Sequence, residues 1–378
     1  MHLNSFRFDA SRVREFIEFG RALYLNDARW IPPFRRTVAR QLSPDYPFYN
    51  RPGNDHCHFL AYEGTQVVGR VSAMVNAAIR DEDGTAVGLI GFFECIEDPI
   101  VATVLLDAAR DWLRDQHGLR RIWGPMNFDI WHSYRFMTRG FDQAPFYGEP
   151  DNKAYYPAFF EAYGFTRRRT WHSFEVVGRD QLEAMIAASK QPHDRLVSRG
   201  YRFISAENWD PNDETRLLHD LISRSFAGFL GFTPIALEEF ATLFRRLKGT
   251  VALPMSFVLH DPADRPVGFA ITYYELSAAV RAMHGRESPL SKAKFLVRRR
   301  QTDRLNFFAA GMIRDEQDRG KGFGKAGLVH VVDQALQHGY EDIIFALMAS
   351  DNRVQGLFRR SDLEPQREYA LYELNTRG

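Results

Sequence analysis

The sequence predicts an α/β fold of mixed sheets flanked by helices, built twice along one chain. In each half a hairpin of alternating apolar residues precedes an apolar strand, an amphipathic helix and a further strand. The helix of each half ends in Gln-His-Gly, at residues 116–118 and 337–339. At 378 residues the chain is long enough for two ordinary domains. The repeated order therefore predicts two tandem domains, residues 1–180 and 181–378.

Hydrophobic periodicity and the turn and capping residues predict the elements of the first half. Residues 58–76 alternate around a Glu-Gly turn and predict a hairpin, and residues 85–95 predict an apolar strand. A helix then begins at Asp98-Pro99, an acidic N-cap with proline in the first turn, and stops at Gly118. The other elements predicted for this half are a strand at 120–128, a short helix at 151–165 and a strand near 170–177.

The second half repeats this order with one addition. Residues 256–276 predict a hairpin and residues 304–313 an apolar strand, followed by a helix that stops at Gly339 and a strand at 341–350. An insertion at 277–303 has no counterpart in the first half. The first half instead carries a longer loop after its 120–128 strand.

Composition excludes several classes of protein. The 49 Lys and Arg against 48 Asp and Glu leave a net charge of +1, which argues against wholesale nucleic-acid binding. Two cysteines form no disulfide framework, and the start has no apolar leader, so a cytoplasmic protein is expected. His56 and His58 flank a cysteine but sit at adjacent strand positions that alternate between faces, so no metal site is predicted.

A glycine-rich segment between a strand and a helix, residues 313–336, favours an anion such as a phosphate. It is not a P-loop, because Gly324-Lys325 is followed by alanine. A dinucleotide fingerprint does match residues 322–327, with Asp351 after the next strand, and keeps an NAD(P)-binding oxidoreductase as an alternative. Against it, only one strand and a short helix follow, fewer than a doubly wound sheet requires.

The residues from Arg319 to Gly324, Arg-Gly-Lys-Gly-Phe-Gly, resemble the acyl-CoA loop of the Gcn5-related N-acetyltransferase (GNAT) superfamily. The order of elements from residue 205 to 378 is also similar to that family. The resemblance implies a tandem GNAT protein with acyl-CoA as co-substrate. The cofactor-binding residues that it implies are Gly311, Met312, Ile313, Arg319, Gly320, Lys321, Gly322, Phe323, Gly324 and Lys325.

The first half lacks this loop. Glu97 and Asp98 stand where a pyrophosphate would bind, and like charge at a helix N-terminus repels that ligand. The first domain is therefore expected to be a scaffold or a wall of the acceptor site.

Candidates for the chemistry are less specific. The tyrosine that serves many GNAT enzymes as an acid is replaced here by Phe358, so that role is not carried over, and Tyr369 and Tyr372 on the last strand are substitutes. Glu94 is a candidate base, because a carboxylate on an apolar strand needs a function or a partner; a salt bridge to Arg70 is the alternative.

The aromatic region of the first half supplies candidates for the acceptor pocket: His132, Tyr155 and Tyr156. With 14% aromatic residues, the chain has material for a deep apolar channel that holds a long acyl chain.

The insertion concentrates charge. Between Arg281 and Arg304 eight cations stand against Glu287 and Asp303, a net charge of +6 in a nearly neutral protein. A solvated loop, a site for the 3′-phosphate of CoA, and peripheral contact with the anionic inner membrane face are the three interpretations.

Four stretches, 59–73, 91–95, 124–128 and 141–165, also resemble a group of bacterial GNAT-like proteins of the YghO type, some implicated as bacterial ceramide synthases. The function predicted is acyl transfer from acyl-CoA to an amine by direct attack, with a long-chain acyl group and a sphingoid amine as the finer hypothesis. An inactive CoA-binding or partner-binding tandem module is a further alternative.

Overall fold

The computed structural model describes residues 1–210, 212–313 and 322–376. The strands are β1 (His2–Phe6), β2 (Asp55–Glu63), β3 (Gln66–Arg80), β4 (Ala86–Cys95), β5 (Arg121–Gly124), β6 (Phe136–Arg139), β7 (Thr166–Val177), β8 (Arg202–Ser205), β9 (Phe257–His260), β10 (Pro266–Tyr274), β11 (Arg304–Met312), β12 (Asp342–Ala349) and β13 (Arg367–Asn375). The helices are α1 (Ala10–Ala22), α2 (Arg35–Gln41), α3 (Pro99–His117), α4 (Tyr156–Tyr163), α5 (Arg179–Ser198), α6 (Glu214–Phe226), α7 (Leu237–Leu247), α8 (Ser277–Arg281), α9 (Pro289–Arg298), α10 (Phe323–Gln337) and α11 (Gln355–Arg360).

All the strands that the structure describes belong to one sheet. Its order is β1-β2-β3-β4-β5-β13-β7-β12-β11-β10-β9-β8, and β6 pairs with β13 beside this path. Each half passes its last strand to the other, since β7 pairs with β12 and β13 pairs with β5. The two exchanged strands pair antiparallel with each other and join the halves. The mixed α/β fold is confirmed, whereas the division at residue 180 stays a prediction, two residues beyond the loop glycine Gly178.

The predicted first-half helix is confirmed at both ends. The Asp98 carboxylate accepts a hydrogen bond from the Ile100 N–H at 2.8 Å, which satisfies a donor of the first turn. Gly118 ends the helix at φ 65°, the left-handed conformation that glycine adopts without strain. Leu105 and Leu113 are fully buried, and each contributes about 1.5–3 kcal/mol of burial.

Helix α10 is the second-half counterpart of α3. Ala326, Leu328, Val331, Val332 and Ala335 bury its inner face against the sheet. It packs beside the long helix α5. Its N-cap residue, Gly322, has no side chain that could cap the first turn.

The parallel pairs β4–β5 and β11–β12 separate soon after they meet. Strands β4 and β5 pair only at Gly88–Ile122 and Leu89–Trp123. Strands β11 and β12 pair from Arg304–Asp342 as far as Phe307–Phe345 and then diverge. Each half therefore contains a wedge between two parallel strands. The neighbouring strand pairs are antiparallel, so the sheet is not the mostly parallel, doubly wound sheet that a dinucleotide-binding fold requires. Within the described ranges, no helix has both the length and the apolarity to cross a bilayer.

Candidate active site

The wedge between β11 and β12 opens into a cavity of about 1720 Å³. Residues 307–312 line one side and residues 346–349 the other. Phe308 is skipped in the ladder with β10, which pairs Thr272 with Phe307 and Ile271 with Ala309. This bulge bends β11 away from β12 and widens the opening. The volume exceeds the roughly 300–1,000 Å³ of ordinary small-molecule pockets.

One end of the cavity is the first turn of α10. Gly322 precedes the helix at φ 79°, and Gly322, Phe323, Gly324 and Lys325 all line the cavity. A Cβ on Gly324 would stand 2.6 Å from the Val354 side chain, so only glycine fits there. Unbonded N–H groups and the positive end of the helix dipole make this end suited to a phosphate.

The other end is a chamber whose walls come from both halves of the chain. The α6–α7 connection contributes Phe226, Phe229 and Phe232, and the first half contributes residues 130–135 and 147–150. These walls are tied together, since the Trp131 indole N–H donates to the Thr233 carbonyl at 2.8 Å. The expectation that the first half supplies a wall agrees with this arrangement.

A histidine relay opens on the chamber. His132 Nδ1 lies 2.6 Å from Asp129 Oδ1, and Nε2 contacts the Tyr46 hydroxyl. The buried Asp129 also accepts a hydrogen bond from Thr233 at 2.6 Å. A carboxylate has no proton to donate, so this network places the ring proton on Nδ1 and leaves Nε2 to accept from Tyr46. His132 and Tyr46 both line the cavity.

A buried ionic cluster lies behind the loop at 146–150. The Glu149 carboxylate accepts hydrogen bonds from Tyr369 Oη and from the Phe146 N–H, and it pairs with Arg367 at 3.1 Å. Burial raises the pKa of Glu149 to about 8, against the lowering effect of Arg367. The Glu149 side chain is 0% exposed. The enclosed carboxylate therefore holds the loop against β13, while residue 149 itself belongs to the loop that lines the cavity.

In the first half, side chains fill the wedge between β4 and β5. Phe93 packs edge to face with Tyr156 and Phe160. The Cys95 N–H donates to Tyr156 Oη at 3.0 Å, and Tyr155 Oη donates to the Cys95 carbonyl at 2.9 Å. The backbone groups that line an open wedge in the second half are thus already bonded to tyrosines in the first.

Glu94 belongs to the same filled wedge. Its carboxylate accepts hydrogen bonds from Tyr24 at 2.9 Å and Tyr156 at 2.7 Å, and lies 3.7 Å from Arg70. Burial raises the pKa of Glu94, although Arg70 opposes the shift. Glu94 is not a lining residue of the large cavity, and the salt bridge considered as the alternative is present.

The cavity collects part of the set of residues predicted from sequence. It is lined by Gly311, Met312, Gly322, Phe323, Gly324, Lys325 and His132. Ile313 lies just outside, with its N–H bonded to the Val267 carbonyl at 3.0 Å. Tyr369 is enclosed beside Glu149, and Tyr372 donates to Glu161 at 3.0 Å within the first-half core. Arg319, Gly320 and Lys321 lie outside the described residues.

Sequence reasoning missed other residues at this site. Tyr46, Asp129 and Arg135 reach the chamber or support it from the first half. For Asp129 and Arg135 the available signal was the long aromatic loop after β5, whose length has no counterpart in the second half. Among the described residues, no group of three or more His, Cys, Asp or Glu is placed to hold a metal ion.

No protein-family model matches the chain. Protein YghO of Escherichia coli is 26% identical over 385 residues, which cover 96% of this chain and 92% of that protein. A bacterial ceramide synthase of Caulobacter vibrioides is 24% identical over 299 residues, 76% of this chain and 74% of that protein.

Two solved structures share the architecture. A fungal multi-domain β-N-acetylglucosaminidase with a GCN5-related glucosamine N-acetyltransferase region is 15% identical with a TM-score of 0.54; the match covers 99% of this chain and spans 38% of that one. A tandem GNAT protein from the clavulanic acid biosynthesis pathway is 12% identical with a TM-score of 0.50, over 100% of both chains. The fold of this chain is that of tandem GNAT proteins, which confirms the resemblance.

Proposed function

We propose that this tandem GNAT fold transfers an acyl group from acyl-CoA to an amine in the wedge between β11 and β12. One observation carries the proposal: a single cavity joins the uncapped first turn of α10, the diverging strands and an aromatic chamber. A donor with an anionic end and a separate acceptor can meet there without leaving the cavity. The filled wedge of the first half supports one acyl-CoA per chain.

The donor end matches a pyrophosphate. The first-turn N–H groups of α10 point along the helix axis, and Lys325 adds a cation beside them. From there a thioester arm extends between residues 307–312 and 346–349, which line the two sides of the cavity. This path leads the reacting carbonyl to the border of the chamber.

The histidine relay supplies the acid–base step. An ammonium in the chamber gives a proton to the Tyr46 oxygen while the Tyr46 proton moves to His132 Nε2, and Asp129 stabilises the resulting imidazolium. The free amine then attacks the thioester carbonyl, a C–N bond forms, and the C–S bond breaks. The attacking nitrogen loses its second proton as the amide forms, the departing thiolate takes up that proton as CoA leaves, and the imidazolium releases the first proton to solvent.

The size of the chamber supports a long acyl chain or a lipid acceptor. Its aromatic walls suit a hydrocarbon chain, and the name of the bacterial ceramide synthase relative points to a sphingoid amine. The long acyl chain and the sphingoid amine are more specific proposals than amine acylation itself. A series of acyl-CoA thioesters of increasing length, tested for free-thiol release with amines including sphinganine, discriminates among them. Failure of every thioester to bind would contradict the function itself.

Helix α9 is the proposed contact with a membrane. Leu290, Leu296 and Val297 are 67%, 54% and 65% exposed, on a segment with a net charge of +6. Lys292 and Phe295 of the same helix line the cavity. An apolar and cationic helix at the rim of a chamber suits an anionic bilayer that supplies a lipid substrate.

Replacing Leu296 and Val297 by serine will weaken binding to vesicles that contain anionic phospholipid. The loss expected is about tenfold or more, because two half-exposed apolar side chains no longer enter the bilayer. Cosedimentation with anionic and neutral vesicles measures it.

The matched control replaces Ile100 and Val177, which are 65% and 54% exposed outside the basic segment. These substitutions should leave vesicle binding unchanged. Equal binding by L296S/V297S and the native protein would argue against the membrane. If charge-removing changes in the segment instead lower affinity for CoA but not for dephospho-CoA, the 3′-phosphate is its partner.

A further inference from the structure

Arg135 stands on the wall of the chamber in an unusual setting. It lies in the loop before β6, with φ 70° and its N–H bonded to the Pro125 carbonyl at 2.8 Å. Its guanidinium carbon is 4.0 Å from the centre of the Tyr134 ring and 4.6 Å from that of Trp171. The guanidinium is thus held in place by two rings, and Arg135 is one of the residues that line the cavity.

Within the part of the chain that the structure describes, this cation has no anionic partner. Nε and Nη1 are buried without a hydrogen bond, and no carboxylate of the described chain forms an ion pair with Arg135. Other arginines nearby are paired: Arg169 with Asp351 at 2.9 Å, and Arg367 with Glu149 and Glu175. The rings offset part of the cost of burying the charge, but they accept no hydrogen bond from Nε or Nη1 in the plane of the guanidinium.

We propose that Arg135 binds an anionic oxygen group, a carboxylate or a phosphate, of the molecule that occupies the chamber. A guanidinium donates charge-assisted hydrogen bonds to either group, and its positive charge attracts both. The phosphates of CoA are assigned to the other end of the cavity, at the first turn of α10, so they do not account for this cation.

Together with the proposed function, on which this inference rests, the Arg135 site restricts the chemical class of the amine acceptor. It is an amphiphilic amine that also carries an acidic group, with its hydrocarbon part against the aromatic walls. The distinction separates sphinganine, which has no acidic group, from its phosphate ester.

Binding of simple amphiphiles tests the site without any acyl transfer. Dodecyl phosphate, dodecanoate and dodecanol share one chain and differ in their head groups. The native protein should bind at least one of the two anions on the order of tenfold more tightly than dodecanol, measured by calorimetry. In R135Q the preference should fall to about one.

The matched control is R169Q, since Arg169 lines the same cavity but already pairs with Asp351. R169Q should keep the preference for the anion. Loss of the preference in R169Q but not in R135Q, or equal binding of all three probes by the native protein, would overturn the proposal.

Thermal unfolding gives a second measurement, which distinguishes an anion-binding role of Arg135 from a purely structural one. R135M removes a buried, unpaired charge, so the melting temperature should rise or stay constant, and dodecyl phosphate should stabilise the native protein more than R135M. A fall in melting temperature without any change in ligand stabilisation would contradict the site. Anion preference without acyl transfer would leave the site standing and remove the proposed function.

Discussion

Replacing Gly322 by glutamate will abolish the binding of acyl-CoA. Gly322 adopts φ 79° immediately before α10, so a carboxylate there would occupy the first-turn N–H groups and repel a pyrophosphate. A loss on the order of 100-fold or more is expected, because several charge-assisted hydrogen bonds disappear together. Calorimetry with acetyl-CoA and palmitoyl-CoA measures the change.

The other end of the same helix offers the control. Gly339 has φ 81°, nearly the same backbone strain for any side chain, and an added Cβ there meets open space. Gly339→Glu should therefore carry a similar backbone penalty, without the 3.2 Å contact that a Cβ at Gly322 makes with Pro192 Cβ, and should bind acyl-CoA normally. Unchanged affinity in Gly322→Glu, or equal losses in the two variants, would show that the glycine turn is not an anion site.

Replacing His132 by glutamine will lower acyl transfer by about 10²–10⁴-fold while acyl-CoA binds as before. Glutamine keeps a polar group near Asp129 but cannot take a proton from Tyr46. The rate of free-thiol release with a long-chain amine such as dodecylamine, at saturating acyl-CoA, measures the loss. Asp129→Asn should lower the rate in the same direction, since the ring then loses the carboxylate that orients it.

Two further substitutions make this result specific. His58 is also buried, with Nδ1 2.7 Å from Ser72 Oγ, but it lies in the first-half core, so His58→Gln should retain transfer if the protein stays folded. Glu94→Gln tests the carboxylate favoured by the sequence. Loss of transfer in Glu94→Gln together with normal rates in His132→Gln would move the chemistry to the first half.

Local signals in the sequence predicted the parts of the site that depend on neighbouring residues. Asp98 and Gly118 mark the ends of α3, and Gly322 and Gly324 mark the start of α10, because caps and tight turns require particular residue types. The helix stop at Gly118 recurs at Gly339, and the glycines before α10 carry the resemblance to GNAT proteins.

The composition of the chamber was beyond such signals, because it depends on contacts between distant segments. The Trp131 indole N–H donates to the Thr233 carbonyl, 102 residues later, and His132 meets Tyr46 across 86 residues. The role of Glu94 also could not be predicted from neighbouring residues. A carboxylate on an apolar strand predicted either a partner or a function, and the choice between them depended on where Tyr24 and Tyr156 fold.

The exchange of last strands also bears on the order in which the protein is made. Strand β13 fills the place between β5 and β7, yet it is synthesised after every other strand of the sheet. While the ribosome is still translating the second half, β5 has an unpaired edge that invites pairing with other chains. The nascent first half thus keeps this edge open until the final strand is made, and neither half completes its share of the sheet alone.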